Sequence, residues 1–398
     1  MHHIIYFMIL MLFMVITGLA QFNPTLEIST FYDNNLFRTP NPVTDVMTNV
    51  DLHLNYQVAG SNAQFYYNPD IYIFNTYNER NFSIHGLGLS YFKDLNEDET
   101  HTLFLGVDYN KRIDKSEFNF YDYNQFYAYL NFRFDLKWFF LRTGYNYRFR
   151  DYSNFSDLSN SRHYLFAQIN KSFPTQTTFI AEVNYGRKNF SGTQTLVTAY
   201  TNTSGSTGGY GRGRWSGNLT GDTTQTYITE TLQAPSLDQM VLLVRLSQSI
   251  YSKMGIYLQY RHQVSLTSET EYLNSDAYFQ DEETFDDPFS YESRTVASQL
   301  TWIMPFSTRL QIGGGYDHKY YISEQAFISE NDSLASGGDR HDKRSFLYLN
   351  LSKNFKLNKS WLNRLSINLN GYFTRNRSNS YWYDFKNTVI GGSISWSL

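Results

Sequence analysis

The residues that could do chemistry in this chain are arginines set at two-residue spacing on segments whose opposite face is aromatic. In the stretch 124–150, Phe126, Ala128, Leu130, Phe132 and Phe134 alternate with Gln125, Tyr127, Tyr129, Asn131, Arg133 and Asp135. After a break near Leu136 and Lys137, Phe139, Leu141, Thr143, Tyr145, Tyr147 and Phe149 oppose Arg142, Gly144, Asn146, Arg148 and Arg150. A period of two marks a strand with one apolar and one wet face. The same phase places Arg112, Lys188, Arg245, Arg261, Arg309, Lys319 and Arg364 on wet faces, with Glu27, Asp51, Asp108, Asp135, Glu182 and Asp317 as counter-charges. If those faces enclose water, two readings stay open. One is a cationic lining that favours anionic or carboxylated solutes, by the logic of charged rings in channels. The other is a set of cross-strand pairs that keeps the wall hydrated.

Other constellations carry less. Asp317-His318, Arg340-His341-Asp342 and Ser345 supply the groups of a hydrolytic triad, but a triad requires each group to orient the next. No catalytic residue is assigned, and an enzyme is not expected. Gly313-Gly314-Gly315 has no helix behind it to cradle a phosphate, so on a strand it relieves crowding or bends the wall. Asp276, Asp281, Glu282, Glu283, Asp286 and Asp287 offer oxygen ligands without the glycine of a calcium loop, and read as solvated loop. No metal or cofactor is expected. Within the Gly/Ser/Thr-rich stretch 191–239, Tyr210, Arg212, Arg214 and Trp215 are grouped among glycines. That segment either folds inward as a constriction able to stack on sugars or remains outer surface.

Composition narrows the class. The 34 Tyr and 32 Phe of 398 residues exceed what one soluble core needs, whereas strands facing lipid, with aromatic girdles at their ends, consume them readily. The absence of Cys removes disulfides, thiolate metal sites, thiol catalysis and a lipoprotein anchor. A net charge of −4 gives no reason to expect nucleic acid. Beyond the first 20 residues no apolar run suits a membrane helix. Residues 1–20 read as a secretory signal peptide. The apolar run Ile4 to Ile16 is short of a span, and Gly18-Leu19-Ala20 offers small residues to a signal peptidase, so that Gln21 begins the mature chain.

From Gln21 onward about sixteen alternating segments follow. The third, 63–76, contains Asn68-Pro69-Asp70 and is expected to bulge or break there. Odd-numbered links are mostly long and polar (33–44, 114–123, 191–239, 268–292, 322–344), and even-numbered ones are mostly short turns (59–62, 136–137, 174–175, 252–254, 305–307). A sandwich has no cause to sort its loops in this way. The expected fold is therefore all-β: a transmembrane antiparallel up-and-down β-barrel of about 16 strands, of outer-membrane type, with 191–239, 268–292 and 322–344 as long extracellular loops.

The stretch Thr30 to Tyr56 resembles the opening of outer-membrane β-barrel porins of Gram-negative bacteria. There an aromatic-Asp-Asn run followed by Arg-Thr-Pro joins the first strand to a second, alternating one. The matching residues are Tyr32, Asp33, Asn34, Asn35, Phe37, Arg38, Thr39 and Pro40. The likeness covers under a tenth of the chain and implies location and architecture rather than cargo. The expected function is a porin-like channel for passive passage of small solutes in the bacterial outer membrane. Its partners would be outer-membrane lipids and lipopolysaccharide, the barrel insertion machinery, and small solutes or saccharide. Alternatives are an exopolysaccharide export pore, and an adhesion or scaffold barrel with a closed lumen. With no plug-sized segment before the first strand and nothing after the last, a TonB-dependent receptor and a peptidoglycan anchor are not expected.

Overall fold

The computed structural model describes residues 22–191, 193–202, 224–233, 236–267, 287–332, 334–359 and 362–397. Alternation carries directly into strands: β1 (Phe22–Asp33), β2 (Asp45–Gln57), β3 (Ala63–Phe74), β4 (Phe82–Asp94), β5 (His101–Asp114), β6 (Tyr123–Leu136), β7 (Phe139–Tyr152), β8 (Asn160–Ser172) and β9 (Thr177–Phe190). A hairpin of β10 (Thr193–Asn202) and β11 (Thr224–Gln233) follows. Then come β12 (Ser236–Tyr251), β13 (Met254–Ser265), β14 (Tyr291–Met304), β15 (Thr308–Gln325), β16 (Asp339–Lys359), β17 (Leu362–Ser378) and β18 (Phe385–Ser397). Each strand of the main sheet pairs antiparallel with its neighbours, β9 pairs with β12, and β1 pairs with β18, which closes a 16-strand barrel.

Three expectations are corrected. The stretch 191–239 is not one continuous loop, because β10 and β11 form their own two-stranded sheet within it and β12 already begins at Ser236. The stretch 322–344 is mostly strand: β15 runs to Gln325 and β16 starts at Asp339, leaving a link of 326–338. Polar residues misled there because a strand that projects past an apolar band needs no apolar face. Finally, of the bulge or break expected at Pro69, there is no bulge, and the only break is the loss of two rungs to β2. β3 pairs with β4 without a break, and β2 with β3 keeps one register on both sides, lacking only the rungs of Leu52 and His53. A proline removes one N–H from a ladder without shifting it.

The outer face is an apolar band. Leu87, Leu165, Leu246, Leu258, Leu347, Leu369 and Ile390 are all half or more exposed, the reverse of a soluble core. Tyrosine and histidine punctuate the band. The Tyr67 hydroxyl bonds His85 Nδ1 at 2.8 Å, Tyr145 bonds His163 Nδ1 at 2.7 Å, and Tyr320 bonds His318 Nδ1 at 3.1 Å. Buried apolar side chains gather instead where the long links meet the strands. Tyr121, Tyr123, Tyr152 and Leu158 form one cluster, and Phe190, Leu237 and Phe289 another.

The Asp-Asn motif after β1 has a structural role at the closure of the barrel. Asn35, 1% exposed, donates through Nδ2 to the carbonyls of Thr39 and Lys386. Asn387 donates to Asp33 Oδ1 and to the Asn35 carbonyl, while Thr388 N donates to Asn34 Oδ1. The first link is thereby tied to the last strand, and Arg38 adopts a left-handed φ of 50° to turn the chain.

Candidate functional site: the inner wall

Side chains alternate across a strand, so residues out of phase with the exposed apolar band line the inner wall. The sequence-assigned residues fall on that face but do not form one stripe. Arg133 and Arg142 lie directly opposite each other on β6 and β7 and are exposed. Arg148 on β7 lies opposite Arg162 on β8, which lies opposite Lys188 on β9. Arg245 donates from Nε to Gln259 Oε1 at 2.8 Å and stacks over Tyr257, with its Cζ 4.8 Å from the ring centre. Arg261 donates to Gln263 and Ser293. Arg309 and Arg364 stand exposed at the short-turn end, opposite Ser352 and Lys356 respectively. Glu182 accepts from Gln168 and Asn184, and Asp108 lies opposite Gly88 and Tyr127.

At the end bearing the long links, the inward cations are consumed by contacts with aromatic rings. Arg112 Cζ lies 4.0 Å from the Phe82 ring centre, and its guanidinium is bidentate to Asp114. Arg150 stacks 4.2 Å from Tyr123 and donates to Gln125, while Lys319, 3% exposed, lies 4.2 Å from the Tyr291 ring. Stacked, charge-paired guanidinium groups of this kind brace the mouth rather than face solute. Arg112 and Lys319 are thus taken up in the wall, whereas Arg133 and Arg142 remain open to solvent.

Sequence reasoning missed an acidic row. Glu27 on β1, Asp51 on β2 and Asp70 on β3 are directly opposite one another. His53 Nε2 lies 3.0 Å from Asp51. Asp70 was obscured by its proline neighbour. The available signal was that β1, β2 and β3 contain no Lys or Arg at all. The inner wall therefore carries carboxylates on β1–β3 and guanidinium and ammonium groups on β6–β9.

A second missed element is Asp287. Read from the sequence as part of a solvated loop, it instead contacts the wall, ion-paired with Lys188 and with Arg162 at 3.3 Å. Phe289, 2% exposed, packs beneath Arg162 and against Tyr164, and Gln263 Nε2 donates to the carbonyls of Pro288 and Tyr291. For 191–239 an inward-folded constriction was one of two open readings, and the residues that would form it lie outside the described residues. The described inward contact comes from 287–290. Tyr210, Arg212, Arg214 and Trp215, the acidic residues 276–286 and residues 1–20 lie outside the described residues. The Ser/His/Asp grouping does not assemble. Asp317 and Asp342 are buried on the inner face, where they accept from Arg344 and Arg340, while His318, His341 and Ser345 are out of phase with them on the outer face.

Aromatic rings on the inner wall lie flat over glycines of the adjacent strand. The cross-strand pairs are Gly88 with Tyr66, Gly106 with Tyr129, Gly186 with Tyr164, Gly313 with Tyr348 and Gly315 with Phe346. Two residues of the glycine run thus relieve crowding, as the sequence suggested. A Cβ at Gly106 would come within 2.6 Å of Tyr129 Cζ and force the ring away from the wall. Gly106→Ala is expected to cost about 1–3 kcal/mol through overpacking and to lower single-channel conductance, read in the same preparation. Unchanged conductance would mean that these rings do not bound the lumen.

No protein-family model and no curated protein matches the sequence. Solved structures of similar outline are outer-membrane proteins. OpdK of Pseudomonas aeruginosa, solved with vanillate, has 12% identity and a TM-score of 0.48, over 95% of this chain and 99% of that one. OccK2 (OpdF) of Pseudomonas aeruginosa has 12% identity and a TM-score of 0.49, over 95% and 98%. A bacterial polysaccharide outer membrane secretin has 9% identity and a TM-score of 0.48, over 94% and 98%. At such scores these likenesses carry no functional argument, and the barrel rests on its own strand pairing.

Proposed function

We propose that the chain is an outer-membrane channel for passive passage of small polar solutes, with carboxylated ones favoured. One observation carries this reading: a closed 16-strand wall that is apolar outside and ionisable inside. A barrel of that strand number encloses an aqueous passage. Charged side chains on the opposite face would cost ~2–4 kcal/mol each at mid-bilayer. Delivery would use the signal peptide at 1–20 and the barrel insertion machinery.

The preference for carboxylated solutes rests on the separation of charge across the wall. Carboxylates at Glu27, Asp51 and Asp70 and cations at Arg133, Arg142 and Arg148 occupy different arcs of the inner wall, so a solute with separated charges would be oriented as it enters. The test is single-channel recording in planar bilayers. An open current with anion preference is expected, and Arg142→Glu and Arg245→Glu should shift the reversal potential toward cations. An unchanged reversal potential would remove the preference, and no current from folded protein would remove the channel. A second reading, passage of a polysaccharide, is favoured by the flat inward rings of Tyr66, Tyr129 and Tyr348, which offer stacking surfaces for sugars.

A further inference from the structure

At the end bearing the long links, the basic side chains of the outer wall concentrate in one sector. Five side chains occupy a single rung across β13–β17, each directly opposite the next: His262, Arg294, His318, Lys343 and Arg377. Four strand spacings of ~4.8 Å make this row roughly 19 Å long. Arg375 and Lys386 face each other immediately beside it, and His341 follows on β16. All are in phase with exposed apolar residues, Tyr260, Val296, Tyr316, Leu347 and Phe373, and so belong to the outer face.

Like charges directly opposite destabilise a sheet, and Lys343 against Arg377 is such a pair. The nearby carboxylates do not compensate. Asp384 is taken by Arg375 at 2.6 Å, Glu292 accepts from Ser265 N, and Asp339 accepts from Gln325. Among the described residues Arg294, Lys343, Arg377 and Lys386 have no carboxylate partner. Around the rest of the wall, outward positions at this end are mainly apolar, including Tyr32, Ile73, Ile113 and Phe149. Arg187 lies 4.0 Å from Asp238 there, and Lys111 is exposed with no carboxylate partner among the described residues. Below the row the surface is Leu258, Ile312, Leu349 and Leu369, which suits acyl chains. A cationic row at the upper edge of an apolar band meets a bilayer at headgroup height.

We propose that the outer wall across β13–β17 binds the phosphate-bearing headgroup of an outer-leaflet lipid. Arg294, Lys343 and Arg377 would hold the phosphates, and Tyr260, Tyr316 and Tyr320 would flank them. The proposal rests on the membrane reading above and extends it by locating a lipid on one sector of the wall.

The experiment compares detergent-purified full-length protein with the triple variant Arg294→Glu, Lys343→Glu, Arg377→Glu. Native mass spectrometry is used to titrate bisphosphorylated lipid A and its dephosphorylated form. Each basic residue near an anionic lipid surface contributes enough that reversing three should weaken binding by roughly 100-fold. Dephosphorylated lipid should bind both proteins equally weakly. A Lys111→Glu control on the far side should bind as the wild type does. The triple variant to Gln provides a milder test should charge reversal prevent folding.

Equal binding of phosphorylated lipid by wild type and triple variant, both conducting in bilayers, overturns the site while leaving the channel intact. Displacement of the lipid by inorganic phosphate at matched concentration also overturns it, because the row would then be a simple anion site. Failure of the wild type itself to insert into bilayers sinks the membrane reading, and the site with it.

Discussion

Asp287→Ala is expected to release the only described segment of the 266–290 link that is seated on the inner wall. The carboxylate is shared by Lys188 and Arg162, whose side chains are 5% and 6% exposed. Removing one member of a buried ion pair typically costs about 3–5 kcal/mol, because the partner's charge stays desolvated. The effect should fall first on the docking of Pro288, Phe289 and Ser290, since Phe289 is held by the same cluster. Single-channel conductance should therefore rise and anion preference increase, as two cations lose their counter-charge at the mouth. Asp287→Asn keeps the shape and separates charge from size: it should behave like the alanine variant.

Proton dependence follows from the same contacts. Burial pushes the Asp287 carboxyl up, but the Lys188 ammonium and the Arg162 guanidinium outweigh it and hold the group below the usual carboxylate range. A group depressed in the docked state stabilises that state above its free value, about 3.9, and the contribution is lost as pH falls through the docked value. Conductance should thus be flat from neutral pH to about pH 5 and rise only below about pH 4. A rise centred near pH 6 would show that some other group holds the segment.

Arg340→Ala should be the most destabilising single change on the wall. The guanidinium, 3% exposed, donates to Glu324 Oε2 at 2.6 Å and to both Asp342 oxygens, at 3.2 and 2.6 Å. It is held between the rings of Tyr321 and Tyr383, at 3.9 and 3.2 Å from their centres. Truncation leaves two carboxylates in a dry site without their shared cation, a loss of about 3–5 kcal/mol. Arg340→Lys should recover little, because an ammonium cannot form the planar fork or stack between two rings. The measurement is the urea midpoint of unfolding in micelles, followed by sheet dichroism. A shift within ~0.5 kcal/mol would place Arg340 among ordinary surface charges.

Arg340 and Asp287 also mark where reading the chain reached its limit. Alternation in 124–150 revealed β6 and β7 because a strand between oil and water must change polarity at every residue. The regular order of long and short links gave the up-and-down topology for the same reason: turns at one end need only reverse the chain. Beyond the apolar band that constraint lapses. The outer parts of β15 and β16 and the β10–β11 hairpin were accordingly read as loop. Inward and outward phase was legible for Arg133, Arg142 and Arg245, but a phase does not say what a side chain touches.

By itself, then, the order of residues determined that this chain makes a closed sheet of alternating polarity, since the period of two is local and survives in any context. Only the tertiary structure decided which charges stay open and which are spent. Glu27, Asp51 and Asp70 form a row, Arg112 and Lys319 disappear under rings, and Asp287 crosses to Lys188 and Arg162, because cross-strand register joins residues that the chain keeps far apart. Register is a property of neighbouring strands, and neither strand contains it alone.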